Sequence, residues 1–140
     1  MSSSARTALH QVPPARVAEC WPVIEPMITA AMDRDGTYTA ENVREWLVKE
    51  LMQLWIAGTK ERGVEALAVT EILQHQKCRV LNILICTGKD RDRWLAHLGA
   101  IETWARTDKG CDRALLYARK GWARHLPDYK LTHVLLEKRL

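Results

Sequence analysis

The chain carries four cysteines and five histidines, the side chains best suited to hold a metal or to attack a carbonyl. Cys20, Cys78, Cys86 and Cys111 form no Cys-x-x-Cys pair. His10, His75, His97, His125 and His133 show no ligand spacing, so no metal site is expected. No Ser-His-Asp or Cys-His arrangement argues for a covalent nucleophile. Cys86 falls within an apolar run and reads as a small buried hydrophobe. Two polar residues, Glu71 and Asn82, interrupt stretches that are otherwise apolar. The densest local charge is the turn Thr87-Gly88-Lys89-Asp90-Arg91-Asp92-Arg93.

Six tryptophans and no phenylalanine are the other unusual feature. Tryptophan buries a large ring and keeps one N–H that needs a partner, so most of the six read as core anchors. Trp122 is the candidate for a protein interface, where tryptophan is enriched.

These residues must be positioned by a single domain of 140 residues. A chain this long buries roughly two thirds of its unfolded surface and needs neither metal nor disulfide to fold. Disulfides are not expected in a reducing compartment. No apolar run approaches the ~20 residues that span a bilayer. Met1–Arg6 lacks the apolar region of a secretory signal, so the expected location is cytoplasm or a particle assembled there. The net charge of +4 is mild. Nucleic-acid binding is possible but not indicated, because the basic excess between Arg113 and Arg124 alternates with apolar residues.

The organising stretch is Val64–Gly110. Val64–Leu73 and Cys78–Cys86 are β-forming and apolar, and the connector Gln74–Lys77 is short enough to make them a hairpin. A helix follows from about Asp92 to Lys109, closed by Gly110. Gly99 sits inside it, which suggests close approach of helix to sheet. Upstream, Ala8–Val12 reads as a strand. Val17, Trp21, Ile24 and Ile28 share one helix face, and Pro22 and Pro26 predict a kink or two abutting segments. Thr39 caps a second helix that ends near Glu50, and Met52–Ala57 forms the next strand. Downstream, Arg113–Tyr117 is a strand, parallel to its neighbour because a helix intervenes. Lys120–Leu126 is a short helix or turn, and Tyr129–Lys138 a closing strand.

That order resembles the GNAT (acyl-CoA N-acyltransferase-like) family. Leu54-Trp55-Ile56 with Val64–Thr70 resembles its second and third strands, and Val80–Cys86 its fourth. Trp94–Gly110 is similar to its third helix, Arg119-Lys120-Gly121-Trp122 to a step near its end, and Lys138-Arg139-Leu140 to the basic close of its final strand. The resemblance covers about two thirds of the chain and looks closest to the short versions carried by tailed phages. It implies an α/β fold with a mixed, mostly antiparallel central sheet and helices on both faces.

In the family, acetyl-CoA lies between the splayed fourth and fifth strands. Its pantetheine pairs with the free edge of the fourth strand, and its pyrophosphate sits on the amides opening the next helix. Carried onto this chain, the resemblance implies cofactor contacts at Ile85, Thr87, Gly88, Lys89, Arg91 and Arg93. It implies Glu71 as the nearest candidate for the general base and Tyr117 for the acid that protonates the leaving thiolate. The family's loop is rich in glycine, yet here only Gly88 is one, with Asp90 and Asp92 facing the phosphates. The expectation is therefore a non-catalytic virion structural or morphogenesis component of tailed-phage type, in the virion or host cytoplasm and without a cofactor. Its partners would be other phage proteins or further copies of itself, with no membrane involved. The alternative is an acetyl-CoA-dependent N-acetyltransferase acting on an amine of a small molecule or protein.

Overall fold

A computed structural model describes residues 8–88, 91–118 and 120–140. Its centre is a five-stranded sheet, β1 (Ala8–Val12), β2 (Gln53–Thr59), β3 (Gly63–Gln74), β4 (Arg79–Gly88) and β5 (Arg113–Leu116), in the order β1-β2-β3-β4-β5. The first four strands pair antiparallel, and β5 runs parallel to β4, as a helical crossover requires. Helices α1 (Val17–Asp35) and α2 (Ala40–Val48) cover one face, and α3 (Arg91–Lys109) the other.

The α1 face follows the sequence pattern closely. Val17, Trp21, Ile24, Ile28 and Met32 are all buried against Leu54, Leu67, Val69 and Ile85 from the sheet. The predicted break at the prolines is not realised as two segments, for α1 is assigned as one helix through Pro22 and Pro26. Both prolines lie on its exposed side. The carbonyls they leave without a helical donor can therefore bond to water. α2 opens on a reciprocal cap: Asn42 N–H donates to Thr39 Oγ1 and Thr39 N–H to Asn42 Oδ1, both at 3.1 Å.

Opposite, α3 buries Leu98, Ile101 and Ala105. Trp104 packs edge-on against Trp55 with ring centroids 4.9 Å apart. The Trp55 indole N–H donates to Thr70 Oγ1 at 3.0 Å, and that hydroxyl donates to Gln53 Oε1 at 2.8 Å. The core-anchor reading of tryptophan thus holds at Trp55, and Trp122 packs against this same core. Gly99 does not mark a close approach. It is on the exposed side of α3, and a Cβ added there would meet nothing within 4 Å. The glycine that does admit a close backbone is Gly58, at a register shift in β2, where a Cβ would lie 2.1 Å from the Gly63 carbonyl oxygen.

The ends of the central unit are tied together. Gly110 adopts φ 69°, and the Cys111 N–H donates to the Ala105 carbonyl at 2.9 Å. The Arg79 side chain, at the start of β4, donates to the Lys109 carbonyl, and Asp112 N–H donates to the Arg79 carbonyl at 2.9 Å. The connector between β3 and β4 is His75–Cys78, one residue later than the sequence suggested, closed by His75 N–H on the Cys78 carbonyl at 2.9 Å.

The expected closing strand is absent. After a 3₁₀ turn at Lys120–His125, residues 129–140 enter no ladder. A period of two in the residues reports a capacity to pair, and here no strand among the described residues pairs with it. No helix among the described residues is long and apolar enough to cross a membrane.

Candidate functional site

The sheet opens between β4 and β5. β4 reaches Gly88, but its ladder with β5 covers only Val80 to Ile83, opposite Arg113 to Leu116. From Leu84 to Gly88 the β5 side of the strand therefore has no strand partner among the described residues. Its N–H and C=O groups there are free to pair with an extended ligand. The fork begins beside an irregularity in the β3–β4 ladder. Val69 lies opposite Ile85 and Thr70 opposite Ile83, so Leu84 is the extra residue of a bulge. Leu84 and Ile85 both join the α1 core, whereas Ile83 and Cys86 join the α3 core. The bulge thus turns the strand where the fork starts.

Two polar residues sit at the base of this fork. Glu71 on β3 lies directly opposite Asn82 on β4, which in turn faces Leu115 on β5. Asn82 Nδ2 donates to Glu71 Oε1 at 2.7 Å. Asn82 is only 6% exposed, and its Oδ1 is buried without a hydrogen-bond partner among the described residues. Leaving such an acceptor unsatisfied costs about 1–3 kcal/mol, which a bound donor would recover. The resemblance did not point to Asn82, but its polar character inside an apolar strand was a legible signal. Tyr117 follows the last residue of β5 and is 70% exposed, beside the mouth of the fork. No hydrogen bond among the described residues joins it to Glu71.

The remaining cofactor candidates divide. Ile85, Thr87 and Gly88 lie on the open stretch of β4, Ile85 with its side chain in the α1 core. Lys89 lies outside the described residues, as do Asp90 and the side chains of Arg91 and Arg93. α3 begins at Arg91, with two residues between it and the end of β4, so a helix N-terminus follows the open edge closely in the chain.

Burial pushes Cys20, Cys86 and Cys111 above the ordinary thiol range, opposite to an activated cysteine. All four cysteines are free.

Several solved acetyltransferases share this overall arrangement of strands and helices. An aminoglycoside acetyltransferase from an uncultured soil metagenomic sample, in complex with trehalose, superposes with a TM-score of 0.69 at 11% identity, covering 98% of each chain. Aminoglycoside N-acetyltransferase AAC(6')-Iy in complex with CoA gives 0.69 at 14% identity, over 100% of this chain and 98% of that one. A putative acetyl transferase from Pyrococcus furiosus gives 0.66 at 15% identity, over 95% and 100%. The fold is that of the GNAT acetyltransferases. No family model matches the chain. No curated protein matches it either. The GNAT likeness therefore rests on shape and extends along nearly the whole chain.

Proposed function

We propose that this protein is an acetyl-CoA-dependent N-acetyltransferase whose acceptor is an amine of a small molecule or protein. The observation that carries the reading is the open β4 edge from Leu84 to Gly88, set against the short β4–β5 ladder. A GNAT fold alone does not carry the activity. An unpaired strand edge leading into a helix N-terminus is the feature such a ligand requires.

The residues divide the work as follows. The backbone of Ile85 and Thr87 would hold the pantetheine arm, and the amides around Gly88 with the start of α3 would receive the diphosphate. The cationic residues Lys89, Arg91 and Arg93 follow in the sequence and would offset its charge. Bound acetyl-CoA supplies an acetyl group activated as a thioester. Glu71 takes a proton from the acceptor amine, directly or through water, and Asn82 Nδ2 holds that carboxylate in place. The unpartnered Asn82 Oδ1 accepts a hydrogen bond from the amine. Tyr117 would supply the proton that a departing thiolate needs.

Calorimetry with acetyl-CoA tests the binding, with micromolar affinity expected and its loss in Gly88→Trp. Thiol release from acetyl-CoA with a panel of amines tests the chemistry. Glu71→Gln is expected to lower kcat by about 10²–10⁴, the usual contribution of a positioned base. Absence of binding overturns the proposal. The reading then returns to a non-catalytic block, favoured by a Thr87–Trp94 stretch that is poor in glycine and contains Asp90 and Asp92.

A further inference from the structure

We infer that the acyl donor preferred by this site carries a linear alkyl chain of hexanoyl to octanoyl length, lodged in an apolar cleft between α3 and the sheet. The inference rests on the reading of the β4 edge as a CoA thioester site.

The cleft is floored by strands and roofed by α3. Ala57, Ala66, Ala68 and Cys86 line it from the sheet, and Leu98 and Ile101 from the helix. It is half open, about 270 Å³ with its mouth counted. The void within is about 20 Å³, room for roughly one water. Its wall presents no polar surface, so a water there would gain no hydrogen bond. A narrow apolar void takes a methylene chain in single file and leaves no room for a ring.

Small residues pave this face of the sheet alone. In the same strands the α1 face is filled by Leu54, Leu67, Val69 and Ile85, all buried. On the α3 face Ala57, Ala66 and Ala68 are as deeply buried, at 2%, 4% and 5% exposed, yet each ends at Cβ. Space that close packing fills on one side is therefore left open on the other.

The ladders join this floor to the open edge. Cys86 pairs with Ala68 and Ala68 with Trp55, while Gly88 pairs with Ala66 and Ala66 with Ala57. Cys86 belongs to the unpaired stretch Leu84–Gly88, and its side chain joins the α3 core, whereas that of Ile85 joins the α1 core. A thioester seated on that stretch thus has a run of small side chains on its α3 side, leading across β3 to β2. Two inter-strand steps span about 10 Å. An acetyl group does not leave β4, whereas a longer chain reaches the alanines. Each methylene buried there strengthens binding roughly fourfold.

Calorimetry on the full chain with acetyl-, butyryl-, hexanoyl- and octanoyl-CoA tests this. Hexanoyl-CoA is expected to bind at least about tenfold more tightly than acetyl-CoA. The Trp55 indole N–H resonance is expected to shift with hexanoyl-CoA and not with acetyl-CoA, because Trp55 lines the cleft. Ala68→Val narrows the track one strand from β4 and is expected to bring the two affinities together. Ala57→Val, two strands away, is expected to penalise octanoyl-CoA above the others. Circular dichroism checks the fold of both variants, and the unmodified chain's series decides alone if neither folds. Equal affinity across that series overturns the inference and leaves the acetyl-CoA reading standing. A long-chain preference that survives in folded Ala68→Val also overturns it, by placing the chain elsewhere. Free hexanoate binding as tightly as hexanoyl-CoA overturns it by making the ligand a fatty acid. If no thioester binds, the reading of the β4 edge fails and this inference with it.

Discussion

β3 and β4 share nine register pairs, whereas β4 and β5 share four. The first pairing lies under α1 and α2 on one side and under α3 on the other, with Val69, Leu81 and Ile83 almost wholly buried. The second ends half-way along β4, and its outer strand is half-buried. Cohesion is therefore concentrated in the antiparallel block, and exposed backbone in the parallel pair. A strand that gives up pairing loses stability but gains free donors and acceptors that a ligand can use.

The sharpest test of that contrast is a pair of truncations measured by urea unfolding. Ile28→Ala, at 0% exposed in the α1 core, is expected to cost about 2–5 kcal/mol. Leu116→Ala in β5 is expected to cost clearly less. Equal losses would erase the distinction. Alkaline pH probes the fork side next. Cys86 is raised by burial from an ordinary 9.0, and Tyr129 by burial and then by its bond to Glu102 from 10.0. In both, the folded state retains a proton that the unfolded chain releases. Stability is therefore full below about pH 9 and falls as pH rises, by about 1.4 kcal/mol per unit for each group titrating. Cys86→Ala is expected to flatten the pH 9–10 part of that slope, whatever its effect at neutral pH.

Two smaller effects concern helices on opposite faces. Thr39→Ala removes the reciprocal cap of α2 and is expected to lower stability by about 1 kcal/mol. Gly99→Ala is expected to raise it by up to about 1 kcal/mol, since the site is exposed, helical and open to a Cβ. A loss at Gly99 would mean that the outward face of α3 packs against something.

The same contrast explains what could be read from the residues. The antiparallel block was legible because its signals are local: a 3.6-residue stripe on α1, alternation in β2, two apolar runs and a short connector. The parallel direction of β5 followed from the intervening helix. The fork was not legible, because where two strands stop pairing is set by a bulge at Leu84 that no residue type announces. The Glu71–Asn82 contact was half-visible. Both residues stood out as polar, but a connector at Gln74–Lys77 sets Glu71 against Val80. The observed His75–Cys78 connector shifts the register and brings Glu71 opposite Asn82. The closing strand expected at Tyr129–Lys138 was not realised: alternation in the residues does not supply an edge to pair with, and residues 129–140 enter no ladder. The particle role expected from the Gly88–Trp94 stretch gains no support from the solved neighbours, several of which are acetyltransferases.

The four-residue link between β3 and β4 also orders events in time. Closing so short a loop costs little chain entropy, so the hairpin can zip before the rest of the sheet exists. β5 can arrive only after the chain has wound the 19 residues of α3 and been pinned by Arg79 at the Lys109 carbonyl. On refolding, the fork would therefore be the last part assembled, and hydrogen exchange in β5 should outpace that in β3.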